Sequence, residues 1–134
     1  NFRRAGGESR VALLEGDAGE ILKILSGTFD MIFMDAAKGQ YIHWLPDVLR
    51  LMKEGSVLVS DNVLQEGDII ESHYLVERRN RTIYKRMREY LWQLTHSPVL
   101  RTSVLPLGDG AAVSVKTGEQ VYETTRTIGS GEQP

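Results

Sequence analysis

Three short apolar runs, each closed by polar or turn-forming residues, leave this chain very few folds. They are Val11-Ala12-Leu13-Leu14, Met31-Ile32-Phe33-Met34 and Val57-Leu58-Val59. None is long enough for a helix, and an unbroken apolar run of this length suits a strand buried on both faces of a parallel sheet. Helical patterns lie between the runs. Asp17 is placed to cap a helix carrying Ile21, Leu22, Ile24 and Leu25, with Gly27 as its stop. Over residues 41–52, Trp44, Leu45, Val48, Leu49 and Met52 share one helical face, with Pro46 tolerable only in the first turn and Gly55 as the end. A longer helical pattern over residues 74–94 carries Leu75, Ile83, Met87, Tyr90, Leu91 and Leu94. Residues 102–107 and 111–116 read as strands joined through Gly108-Asp109-Gly110, a hairpin signal. This alternation predicts an α/β fold with a mostly parallel sheet and a terminal antiparallel hairpin.

Composition narrows the function classes. No apolar run approaches the ~20 residues that a membrane-spanning helix needs, and no basic start followed by an apolar stretch reads as a secretion signal. Cysteine is absent, which rules out disulfides and thiolate metal sites and is compatible with a cytoplasmic location. The net charge of −2 provides no global attraction to nucleic acid, so any such contact must be local.

Ligands of open α/β sheets bind beyond the carboxyl ends of the strands. That rule singles out Gly16-Asp17-Ala18, residues 35–38 and Asp61-Asn62. If the second and third strands are neighbours, Asp35, Asp61 and Asn62 converge. Two carboxylates and an amide oxygen, completed by waters, suit a hard cation such as Mg²⁺. Asp and Asn are also ordinary turn formers after strands. Lys38, three residues beyond Asp35, could take a proton from a metal-bound hydroxyl, or be a solvated lysine opening a loop. Gly16-Asp17-Ala18 could hold the edge of a ligand ring, or simply cap a helix.

These residues sit in motifs with a family resemblance. The stretch Phe29-Asp30-Met31-Ile32-Phe33-Met34-Asp35-Ala36-Ala37-Lys38-Gly39-Gln40-Tyr41 resembles the metal and cofactor strand of the catechol and caffeoyl-coenzyme A O-methyltransferases. Val57-Leu58-Val59-Ser60-Asp61-Asn62-Val63-Leu64 resembles their second metal motif, and Leu105-Pro106-Leu107-Gly108-Asp109-Gly110 their final hairpin. The similarity runs from about the first residue to Lys116. Within the family it is nearest to bacterial tRNA 5-hydroxyuridine methyltransferases, on Asp-Ala-Ala-Lys-Gly-Gln-Tyr and the cluster Arg78-Arg79-Asn80-Arg81. The resemblance implies a Rossmann-like methyltransferase sheet and metal-dependent transfer of a methyl group from S-adenosylmethionine to a hydroxyl oxygen. It implies metal binding by Asp35, Asp61 and Asn62, cofactor contacts from Asp17, Ala18 and Asp35, and Lys38 as the proton acceptor.

The acceptor has two readings. Arg78, Arg79, Arg81, Lys85, Arg86 and Arg88 crowd one helical stretch and could neutralise RNA phosphates, with Tyr74, Tyr84 and Tyr90 placed to stack on bases. Interleaved Glu71, Glu77 and Glu89 equally suit an ordinary exposed helix, which leaves a catechol-like or other small phenol as the alternative substrate. A third reading is a non-catalytic α/β module that binds RNA or another chain.

The family's sheet normally opens with a strand and a Gly-rich turn, neither of which occurs here. Residues 1–116 are therefore expected to be the carboxy-terminal portion of such a domain, and residues 117–134 a flexible tail. The amino-terminal part is expected to be missing, and the start without Met suggests a processed or truncated product. The sheet should then have an open apolar edge that invites a partner chain, a swap or a rearranged pairing, with a homodimer as the expected form.

Overall fold

A computed structural model of the protein describes residues 9–64 and 81–118. Its elements follow the order α1 (Ala18–Ile24), β1 (Phe29–Met34), a 3₁₀ turn (Lys38–Gln40), α2 (Tyr41–Arg50), β2 (Met52–Asp61), α3 (Arg81–His96), β3 (Leu100–Leu105) and β4 (Ala111–Lys116). The four strands form one mixed sheet in the order β1-β2-β4-β3. β1 pairs parallel with β2, while β4 pairs antiparallel with both β2 and β3. The α/β class and the terminal hairpin are as the sequence pattern predicts.

Helices α2 and α3 cover one face of the sheet. Tyr41, Leu45 and Val48 of α2 and Tyr84, Met87, Tyr90 and Leu94 of α3 follow helical spacing and are buried. They pack with Met34, Leu58, Leu100 and Ala112 of the strands into a single core. Polar ties hold the margins. Lys116 Nζ donates to the carbonyls of Leu49 and Met52 at 2.9 and 2.8 Å, joining the end of β4 to the α2–β2 junction. Arg50 donates to the carbonyls of Leu22 and Leu25, both at 2.7 Å, and so satisfies the carboxyl end of α1.

Several elements differ from their sequence reading. Residues 11–14 form no strand, and Val11, Leu13 and Leu14 are exposed. A strand needs a neighbour to complete its ladder, and none lies beside this segment among the described residues. β1 is not buried on both faces: Phe29, Met31 and Phe33 are exposed, and only Met34 is buried. Among the described residues the helices protect one face alone, and β1 ends the sheet with β2 as its sole partner. α1 stops at Ile24 with an extended cap at Leu25, before Gly27 is reached. Pro46 sits inside α2 rather than in its first turn. It is exposed, so the backbone bond its ring forfeits falls on the solvent side. Gly55 does not end α2; it lies at φ 85° within β2. There the register slips, with Phe29 opposite Met52 but Met31 opposite Val57. Ser56 fills the slip: its hydroxyl accepts from the Lys53 N–H at 3.0 Å and donates to the Phe29 carbonyl at 2.6 Å. Of the helix expected over residues 74–94, the stretch 74–80 lies outside the described residues, as do 119–134 of the tail.

The β3–β4 loop is built around a close approach. Gly110 has φ 81°, and a Cβ placed there would run into the side chain of Leu64. Gly110→Ala therefore combines overpacking with left-handed strain. Urea unfolding should show it destabilised by about 2 kcal/mol or more, whereas Gly108→Ala, with open space around its Cβ, should lose less.

Candidate functional site

The pairing of β1 with β2 decides what the strand ends bring together. In the parallel register Met34 stands opposite Ser60, so Asp35, just beyond β1, and Asp61, the last residue of β2, occupy the carboxyl ends of neighbouring strands. Adjacent strands lie about 4.8 Å apart. Asp35 is exposed, and Asp61 and Asn62 are half-buried.

One side chain lies under both ends. Tyr41, the first residue of α2, is fully buried, and its hydroxyl accepts from the Ala36 N–H and donates to the Met34 carbonyl, both at 3.1 Å. It also lies within hydrogen-bonding reach of the Asp61 carbonyl, at 3.4 Å. Its ring meets Tyr90 edge-on, with centroids 5.5 Å apart, and the Tyr90 hydroxyl is paired with Ser60 Oγ at 2.5 Å. Burial pushes the Tyr41 hydroxyl above the ordinary tyrosine range. The Ala36 N–H bond opposes that shift, and the charges of Asp35 and Asp61 add to it. Burial raises Tyr90 further, against the opposing effect of Ser60.

The turn after β2 has its own support. Asn62 adopts φ 56°, a conformation that Asn tolerates better than most residues, and its N–H donates to Asp61 Oδ1 at 2.8 Å. The next two amides bond across to the hairpin, Val63 N–H to the Gly110 carbonyl at 3.1 Å and Leu64 N–H to that of Asp109 at 2.9 Å. The close approach of Gly110 thus holds the segment that presents Asn62. Tyr41 and Gly110 were both missed as site residues in the sequence. An aromatic residue six positions after Asp35 was the available signal for Tyr41, whereas Gly110 was marked only as part of a hairpin turn.

Lys38 opens the 3₁₀ turn between β1 and α2. The turn is braced from α3, where Arg86 Nη1 donates to the Gly39 carbonyl at 3.4 Å. Asp17 acts as the helix cap that its position allowed, its Oδ1 accepting from the Glu20 N–H at 3.0 Å. Ala18 and Asp35 line one cleft of about 290 Å³, together with Gly16, Ala36, Phe33 and Trp44. Among the described residues no three His, Cys, Asp or Glu side chains form a metal cluster. A cation here would need the Asn62 amide and waters beside the two carboxylates. Arg78 and Arg79 lie outside the described residues. Arg81 begins α3 and lines, with His43, Lys85, Arg86 and Glu89, a separate groove of about 550 Å³. Tyr84 and Tyr90 do not face a ligand, as base stacking would require. Both are buried in the core, because they fall on the inward face of α3.

A family model described as O-methyltransferase matches residues 1–117. The catechol O-methyltransferase of Niastella koreensis is 39% identical over 77 residues, covering 54% of this chain and 35% of that protein. Tricin synthase 2 of Oryza sativa subsp. japonica is 31% identical over 116 residues, covering 81% and 40%. Among solved structures, the SAH-bound methyltransferase of Podospora anserina superposes with a TM-score of 0.73 at 27% identity, over 87% of this chain and 53% of that one. The chain spans about half or less of the length of these relatives.

The two buried tyrosines predict a pH dependence of stability. Folding holds both hydroxyls neutral above their ordinary value of about 10, so above that pH the unfolded chain binds fewer protons than the folded one. Their contribution is complete below about pH 10 and is lost as pH rises through the folded values. Urea midpoints measured from about pH 8 to about pH 11 should fall only at the alkaline end, and Tyr41→Phe should flatten that fall.

Proposed function

The chain belongs to the O-methyltransferase family whose model it matches, and on that premise we propose that it supplies the metal and acceptor side of a methyl transfer from S-adenosylmethionine to a hydroxyl oxygen. The observation that carries this reading is the register of Met34 opposite Ser60, which sets Asp35 and Asp61 at adjacent strand ends. Two carboxylates with an amide beside them are hard oxygen donors, and Mg²⁺ is commonly held by one or two carboxylates with waters completing its shell. In this reading Asp35, Asp61 and Asn62 hold a divalent cation, whose chemistry is to lower the pKa of an acceptor hydroxyl and orient it. In the same reading the cleft lined by Ala18 and Asp35 takes the cofactor, and Asp17, whose carboxylate caps α1, lies in the turn leading to it. Lys38, on a turn pinned by Arg86, takes the acceptor proton at its Nζ. Alignment of the acceptor oxygen with the methyl group, rather than further chemistry by side chains, then supplies much of the rate.

A catechol-like phenol is the acceptor supported by the relatives, since catechol O-methyltransferases are among them. A 5-hydroxyuridine of tRNA is the second reading, favoured by the groove that Arg81, Lys85 and Arg86 line beside the Lys38 turn. Phosphates seated there would bring a base towards Lys38, and binding would weaken steeply with salt.

The metal is tested first by titrating the full chain with Mn²⁺, where Asp61→Ala should weaken binding by about tenfold or more. Equal binding by the native chain and Asp61→Ala would remove the metal from the reading. For the acceptor, tRNA binding measured across a salt series should fall on charge reversal at Arg81, Lys85 and Arg86 if RNA is the substrate. Unchanged binding would leave the phenol. Calorimetric titration with S-adenosylmethionine, with and without Mg²⁺, should show weak binding to this chain alone.

A further inference from the structure

We infer that Tyr41 is a positioning residue whose hydroxyl holds the two strand-end turns carrying Asp35, Asp61 and Asn62 at one fixed spacing. This rests on the metal reading given above. The hydroxyl accepts from the Ala36 N–H and donates to the Met34 carbonyl, both at 3.1 Å. Those two backbone groups flank Asp35 on either side, so a single atom fixes the chain direction where that carboxylate leaves the strand. The same oxygen stands 3.4 Å from the carbonyl of Asp61, which belongs to the peptide leading into Asn62. Its one proton can serve either carbonyl. All three candidate ligands therefore leave the sheet from backbone tied to one buried phenol.

Tyr41 is itself held against drift. It is fully buried at the start of α2, and its ring packs edge-on against Tyr90. The Tyr90 hydroxyl pairs with Ser60 Oγ, one residue before Asp61. A clamp of this kind acts as outer-shell partners of a metal ligand do: it touches no ion, yet it sets the geometry in which the ion is bound. The β1–β2 ladder ends at Met34 and Ser60, and among the described residues no further pairing sets the spacing beyond it.

A comparable tie at the other end of the same strand pair separates positioning from plain stability. Ser56 joins the Phe29 carbonyl and the Lys53 N–H, a whole strand length from the candidate ligands. The full chain, Tyr41→Phe, Ser56→Ala and Asp61→Ala are compared by Mn²⁺ titration, with thermal melting on the same samples. Tyr41→Phe keeps the ring and its packing and removes only the oxygen. It should weaken Mn²⁺ binding about tenfold or more, and hydrogen exchange at the Ala36 amide should accelerate. Ser56→Ala should lower the melting temperature while Mn²⁺ binding stays at the native level. Native Mn²⁺ affinity in Tyr41→Phe, with Asp61→Ala abolishing it, would overturn the positioning role and leave the metal reading intact. Equal weakening by Ser56→Ala would also overturn it, because any loosening of the strand pair would then suffice. Native and Asp61→Ala chains that bind Mn²⁺ alike would instead overturn the metal reading, and the positioning role with it.

Discussion

The parallel pairing of β1 with β2 is the constraint on which the rest of the structure depends. Its register aligns Met34 with Ser60, and the positions of Asp35, Asp61 and Asn62 follow from where these two strands stop. The pairing is tied at both ends by buried hydroxyls, Ser56 at the start and Tyr41 at the finish. Between them Leu58 and Met34 anchor the strands to the core under α2 and α3. A one-residue slip would turn Leu58 out of the core, so the burial pattern and the candidate site are set by the same register.

The helices and the hairpin then act as supports for those strand ends. α2 contributes Tyr41 from its first turn, α3 braces the Lys38 turn through Arg86, and the β3–β4 loop takes up the amides after Asn62. α2 lies between the two strands in the chain, whereas α3 and the β3–β4 loop reach the same strand ends from the far side of β2. Among the described residues the opposite face of β1 has no such cover, and Phe29, Met31 and Phe33 are exposed there.

Much of this was legible locally. Hydrophobic spacing predicts α2, α3 and the hairpin, and Asp17 declares itself as a helix cap. The acidic candidates were found because polar residues that end apolar strands stand out against their surroundings. Where local reading failed, the missing information was the identity of the neighbour. Among the described residues, 11–14 have strand composition but no ladder to join, and β1 is as apolar as a doubly covered strand while being covered once. Tyr84 and Tyr90 could be read as stacking residues until the phase of α3 turned them inward.

By itself the sequence determined which segments could be strands or helices, through apolar period and capping chemistry, and which polar groups would lie at strand ends. Those are properties of a residue and its near neighbours. Only the tertiary structure decided that β1 and β2 are adjacent and in what register, that Tyr41 lies beneath both ends, and that Gly110 must leave room for Leu64. These depend on contacts between residues about twenty to fifty positions apart. Spacing along the chain does not encode such contacts, because packing of the whole core selects them.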